Sequence, residues 1–204
     1  MSEAKARPDK VPDSNGPAVI DSEKIERERE RVGRAMSRRH TAMVVAGTIV
    51  VVAAIAIVMS NTLFSVLQVR GTSMEPTITE GDIIVTNRSQ DFGQGDIIAF
   101  YYNNKILLKR VIAFPGDWVD IDSEGNVFVN GEHLEEAYVS DLALGNTDIT
   151  FPYQVPDSSY FVLGDHRSVS VDSRSSVVGT VTKEQVIGKV LFCVFPFEHF
   201  GAVT

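Results

Sequence analysis

The chain of 204 residues contains one cysteine, Cys193, and four widely separated histidines, His40, His133, His166 and His199. A lone cysteine closes no internal disulfide, so nothing staples the fold covalently. Within "GKVLFCVFP", Cys193 reads as a small core hydrophobe of a strand. No histidine pairs with another His, with the cysteine or with a carboxylate at a metal-binding spacing, which argues against a metal site. Positive charge is scarce in the larger part of the chain. Residues 60–204 hold 9 Lys/Arg against 19 Asp/Glu, with no basic patch or stripe, so nucleic acid is not an expected partner. Long helical patterns are also missing there.

What is present begins with a skewed N-terminal part. Residues 1–40 hold 10 Lys/Arg and 8 Asp/Glu. Residues 1–23, rich in Pro, Gly, Ser and charge, are expected to be a disordered tail. Residues 24–40, "KIERERERVGRAMSRRH", combine helix formers with alternating charge and predict a solvated helix. From Ala42 to Val58 run 17 residues with no charge and only Thr48 polar. Weakly polar residues extend this run towards Leu67, and a transmembrane helix over 41–64 is expected, because about 17–25 apolar residues cross a bilayer. A cleaved export signal has an apolar core of about 7–15 residues behind a short basic segment. Here the flank is longer, and the Ala-x-Ala at Ala54–Ala56 lies inside the run, so the segment reads as an uncleaved anchor. Arg27, Arg29, Arg31, Arg34, Arg38 and Arg39 precede it, while Arg70 alone follows closely. Positive flanks stay inside, which puts the N-terminus in the cytoplasm and residues from about 65 onward outside.

Residues 65–204 read as a mostly β domain. Short runs rich in Val, Ile, Phe and Tyr lie at 82–87, 96–102, 105–114, 117–121, 126–130, 159–164 and 186–195. Gly, Asp, Asn and Pro separate them. "FYYNNKIL" predicts a tight hairpin through Asn103-Asn104, and "GDII" at 81–84 and 95–98 is turn chemistry opening two strands. Loops are expected at about 88–95 and 135–157.

Ser73, in "GTSMEPTI", is a candidate nucleophile, and a serine needs a base to take its proton. His166 with Asp165 beside it is one candidate, weakened because neighbours on an extended segment point apart. A neutral lysine is the other. An exposed lysine titrates near 10.4, and burial among apolar groups lowers that value by several units. Lys109 in "ILLKRVIAF" suits burial, sharing a strand face with Leu107 and Val111 while Arg110 takes the other. An edge-strand lysine that blocks aggregation would look the same.

Three stretches in order, "GTSMEPTI" (71–78), "LLKRVIAFPGD" (107–117) and "LGDHRSVSVDSRSSVVGTV" (163–181), resemble the type I signal peptidases of bacteria. The likeness covers about residues 40–200. It implies a membrane-bound Ser/Lys serine endopeptidase that removes signal peptides from exported preproteins, with no metal or other cofactor. The implied fold is a barrel-like catalytic domain with a smaller β insertion at about 117–160, preceded by one transmembrane helix. By position, the resemblance makes Ser73 the nucleophile and Lys109 the general base. Ser170 would orient the lysine, Asp172 and Arg174 would form a bracing ion pair, and Gly164 and Asp165 would belong to the same supporting loop. Met74, Ile78, Leu107, Leu108 and Val69 would line pockets for small side chains of Ala-x-Ala sites. The implied partners are preprotein signal peptides and the lipid bilayer, at the cell membrane. Two departures stand out: Gly71, which has no hydroxyl where some members carry a serine that donates to the oxyanion and so resembles the Gram-positive pattern, and His166 where Asn is usual, with Val169 replacing a commonly polar residue. A self-cleaving repressor of the Ser/Lys type, or an inactive membrane-anchored β binding module, are the alternatives.

Overall fold

A computed structural model of the protein describes residues 22–203. The expected disordered tail, 1–23, lies outside the described residues apart from its last two, which are helical. The chain divides into two compact units, Met1–Ile55 and Ala56–Thr204. One helix, α1 (Ser22–Leu63), runs unbroken for 42 residues, so the charged segment and the apolar run are continuous. No proline interrupts it, and Gly47 is the weakest helix former in the apolar half. The stretch Arg39–Met59 is 21 residues long, and its most apolar 18-residue window has a mean hydropathy of 2.8 with none of that window buried. That length rises about 31 Å, which matches the bilayer's hydrocarbon core of about 30 Å. This is a candidate membrane span.

The second unit is built from antiparallel sheets. β1 (Phe64–Gln68) begins at the residue after α1 and pairs with β2 (Ile83–Asn87). β3 (Ile97–Tyr102) and β4 (Lys105–Ala113) form a hairpin in register Tyr102↔Lys105. Its two turn residues, Asn103 (φ 43°) and Asn104 (φ 59°), are both left-handed. Asparagine tolerates that region better than other side chains, which is why this pair closes a two-residue loop. After β5 (Trp118–Ile121), β6 (Val127–Val129), β7 (Glu132–His133) and β8 (Tyr153–Gln154) come β9 (Ser159–Leu163), β10 (Val181–Thr182), β11 (Val186–Phe195) and β12 (Gly201–Ala202). The larger sheet has the order β1-β2-β11-β3-β4-β9-β10, with β12 on β11. Its path ends at β1 and β10. A four-stranded sheet, β7-β6-β5-β8, accounts for residues 118–154.

β4 is central and is buried continuously from Lys109 to Ala113. Strands covered on both faces read as unbroken apolar runs, as "VIA" does here. Ile112 joins Val119, Phe161 and Leu163 in a core under the smaller sheet. Val111 joins Phe100 and Val162 in another. A third gathers Val69, Met74, Ile78, Ile84, Ile97 and Cys193. This last core roots the segment that carries Ser73.

Candidate active site

Residues 69–82 form a loop closed at its base. Val69 N–H donates to Asp82 C=O at 2.8 Å and Gly81 N–H to Val69 C=O at 3.0 Å. Inside it, Ile78 N–H donates to Met74 C=O at 3.0 Å, and both side chains are buried in the core. Met74 thereby fixes the residue before it. Gly71 has φ +91°, a conformation that L side chains rarely adopt. Ser73, half-buried, faces the middle of β4, where Lys109 Nζ meets its Oγ at 2.7 Å.

Lys109 is 2 % exposed. Burial pushes its ammonium down to about 8; Asp172 and Asp165 pull it up, and Arg174 pushes it further down. Among the described residues no carboxylate pairs directly with Lys109. The low value therefore comes mainly from desolvation, the first of the physical routes to a neutral lysine.

The third motif follows β9 as a buried loop. Asp172 receives Arg174 Nε on Oδ1 and Nη2 on Oδ2, both at 2.8 Å. The same guanidinium donates to the carbonyls of Ala143, Leu144 and Arg167. Burial alone would raise the Asp172 carboxyl. Arg174 and the Gly164 N–H, 3.0 Å away, outweigh it and hold the group below its usual range. A Cβ at Gly164 would stand 2.2 Å from Ser170 Oγ and 2.5 Å from the Ser73 carbonyl oxygen. Glycine is there because the two loops approach that closely.

Two of the expected residues stand in a setting other than the one the resemblance implies. Ser170 is buried, but its Oγ has no hydrogen-bond partner. It helps to lower Asp172 without meeting hydrogen-bond geometry, and no bond joins it to Lys109. Ile78 is 1 % exposed and lies in the core, away from the cavity wall, because the turn from Met74 folds it beneath the loop. The cavity itself, about 760 Å³, opens between residues 67–74 and 104–108. Ser73, Met74, Val69, Leu107 and Leu108 are among its lining residues.

Asp165 and His166 diverge. Asp165 accepts Arg110 Nε at 2.9 Å, Arg110 Nη2 at 2.6 Å and Thr77 Oγ1 at 2.6 Å. His166 Nδ1 lies 3.2 Å from the Thr72 carbonyl oxygen. Among the described residues no His–Asp pair faces Ser73, so the histidine alternative lacks its geometry. Sequence reasoning missed Arg110 as the partner of Asp165. It also missed the buried Arg167–Glu136 pair and Tyr138, which stacks under Arg110 at 3.8 Å. Burial and the neighbouring Glu136 carboxylate push the Tyr138 hydroxyl far up. "KR" and "DHR" hinted at the arginines; nothing local pointed to Glu136 in a long loop.

The family model described as signal peptidase, peptidase S26, matches residues 41–195. The chain belongs to this family. Signal peptidase I of Bacillus amyloliquefaciens is 34% identical over 165 residues, 76% of this chain and 88% of its own length. Signal peptidase I S of Bacillus subtilis (strain 168) is 31% identical over 176 residues, 80% of this chain and 95% of its own. A solved signal peptidase I from Enterococcus faecalis V583 is 32% identical, covers 49% of this chain and 97% of its own, and superposes with a TM-score of 0.41. The chain is thus a signal peptidase of Gram-positive type, a serine endopeptidase that removes signal peptides. The repressor and inactive-module alternatives are not favoured.

Proposed function

We propose that Ser73 and Lys109 carry this hydrolysis on the extracytoplasmic face of the membrane. The supporting observation is the 2.7 Å contact between Lys109 Nζ and Ser73 Oγ at the wall of the cavity. With a value of about 8, roughly one Lys109 in ten is neutral at pH 7, against about one in three thousand for an ordinary lysine. The neutral amine accepts the Ser73 hydroxyl proton as Oγ attacks the scissile carbonyl carbon. Charge develops on the carbonyl oxygen, where the Ser73 N–H donates. The lysine then passes its proton to the leaving amine, which departs as the mature protein's N-terminus and leaves an ester on Ser73. Water attacks that ester while Lys109 again takes the proton, and Ser73 is restored with the signal peptide released as a carboxylate.

The apolar lining of Met74, Val69, Leu107 and Leu108 beside Ser73 corresponds to the small-side-chain pockets that the resemblance implies, so Ala-x-Ala sites are the proposed substrates. The proposed topology has a cytoplasmic N-terminus, the span over residues 39–59 in the bilayer, and residues from about 65 outside. Anchoring raises the effective concentration of substrates that are themselves held in the membrane. Purified full-length protein should cleave a precursor with an Ala-x-Ala site, and Ser73→Ala and Lys109→Ala should each abolish cleavage. Full activity of Lys109→Ala would overturn the dyad. Protease added to intact spheroplasts should digest the part after residue 65; complete protection would reverse the topology.

A further inference from the structure

His166 sits directly after the Asp165 carboxylate, yet its ring turns away from it and towards the nucleophile's own backbone. Nδ1 lies 3.2 Å from the Thr72 carbonyl oxygen, and the His166 N–H donates to the Ser73 carbonyl oxygen at 3.2 Å. One residue therefore contacts the carbonyls on both sides of Ser73. Its own position is held in turn. Ser170 N–H and Val169 N–H donate to the His166 carbonyl at 2.9 and 3.2 Å, and Asp165 is tied down by Arg110 and Thr77.

A carbonyl oxygen only accepts, so Nδ1 must carry the proton in this contact. The Thr72 C=O and the Ser73 N–H belong to one planar, trans peptide unit. A donor on the carbonyl fixes the plane of that unit and so the direction of the N–H at its other end. It also polarises the unit, which makes the N–H a better donor, because hydrogen bonds in a chain strengthen one another. Gly71, with φ +91° and no neighbour within 4 Å of where its Cβ would lie, gives the peptide chain before this unit no steric restraint of its own. The serine hydroxyl that could supply a further donor is absent there.

We propose that His166 is a positioning residue for the oxyanion site, acting through the Thr72–Ser73 peptide rather than as an acid or base. This rests on the Ser73/Lys109 reading of the site. The requirement is a donor at that point, so a carboxamide serves equally and a carboxylate does not.

The test compares full-length wild type with His166→Ala, His166→Asn and His166→Asp on an Ala-x-Ala precursor, with Ser73→Ala as control. His166→Ala and His166→Asp should lower kcat by about tenfold with KM changed less than about twofold, since the lost interaction is made in the transition state. His166→Asn should restore kcat to within about threefold of wild type. Affinity for a peptide aldehyde ending in alaninal, whose adduct places an oxyanion at the site, should fall in the same order. Equal loss in the Asn and Asp variants, both folded by thermal unfolding, would overturn the proposal. So would a His166→Ala variant that changes KM alone or keeps its kcat. An active Ser73→Ala control would instead sink the dyad reading, whatever the His166 variants do.

Discussion

Lys109 and Arg110 are consecutive on β4, both cationic in water, and both almost fully buried at 2 % and 1 % exposure. Consecutive residues leave a strand on opposite sides, and the two sides treat charge differently. Arg110 finds a complete set of acceptors: both Asp165 oxygens, and the Gly95 carbonyl at 2.6 Å, with the Tyr138 ring beneath. Lys109 finds a hydroxyl. Burial with a matched counter-charge yields a permanent ion that builds structure. Burial without one yields an amine that releases its proton near neutrality. A single strand supplies both, and the arginine cannot replace the lysine because a guanidinium does not deprotonate in proteins.

The contrast breaks most severely at Lys109 itself. Lys109→Met should reduce turnover by about 10⁴-fold or more while making the protein harder to unfold. The native value, about 8, lies below the ordinary 10.5, so the unfolded chain binds more protons between those limits. Stability therefore rises with pH through that window, and below it the full penalty applies, on the order of 3 kcal/mol. Urea titrations at pH 7 and pH 10.5 should show the variant's advantage at the first and little at the second. No advantage at pH 7 would mean that Lys109 is not buried as a strained cation.

Next comes Arg110→Met, which strands Asp165 without its counter-charge. A loss of about 3–5 kcal/mol in equilibrium unfolding is expected; a change under about 1 kcal/mol would show that the two sides of β4 are not so different. A smaller effect is read without mutation. kcat/KM should fall about tenfold per pH unit below a limb near 8, because protonated Lys109 cannot accept the serine proton. A limb near 6.5 would point to a histidine instead. The smallest effect is at Ser170→Ala. Deleting a buried hydroxyl without a partner should leave the melting temperature unchanged or slightly raised. If the hydroxyl turns to Lys109 during catalysis, kcat drops by about tenfold at that unchanged stability; an unaltered kcat would remove Ser170 from the mechanism.

Much of this contrast was legible in the sequence. The apolar neighbours of Lys109 suited burial, although an edge-strand lysine would have looked the same, and strand alternation separated it from Arg110. Asn103-Asn104 announced the hairpin that starts β4. These signals are local: a period of two and a turn that needs two left-handed residues. The partners of Arg110 and Arg167 were not legible. Asp165 is 55 residues from Arg110, and Glu136 is 31 from Arg167; each pairing depends on a loop path that no periodicity encodes. The same applies to Ile78, whose apolar character suited a pocket wall as well as a core. Only the turn from Met74 decides between them.

β1 starts at the residue after α1 ends, with no linker between Leu63 and Phe64. Ser73 lies ten residue steps beyond Leu63, so a fully stretched chain could reach at most about 36 Å. That tether sets a ceiling on how far from the end of the helix the nucleophile can stand. Under the proposed topology such a tether would act as a ruler, and a flexible insert between Leu63 and Phe64 should then widen the set of scissile bonds that precursors can present for cleavage.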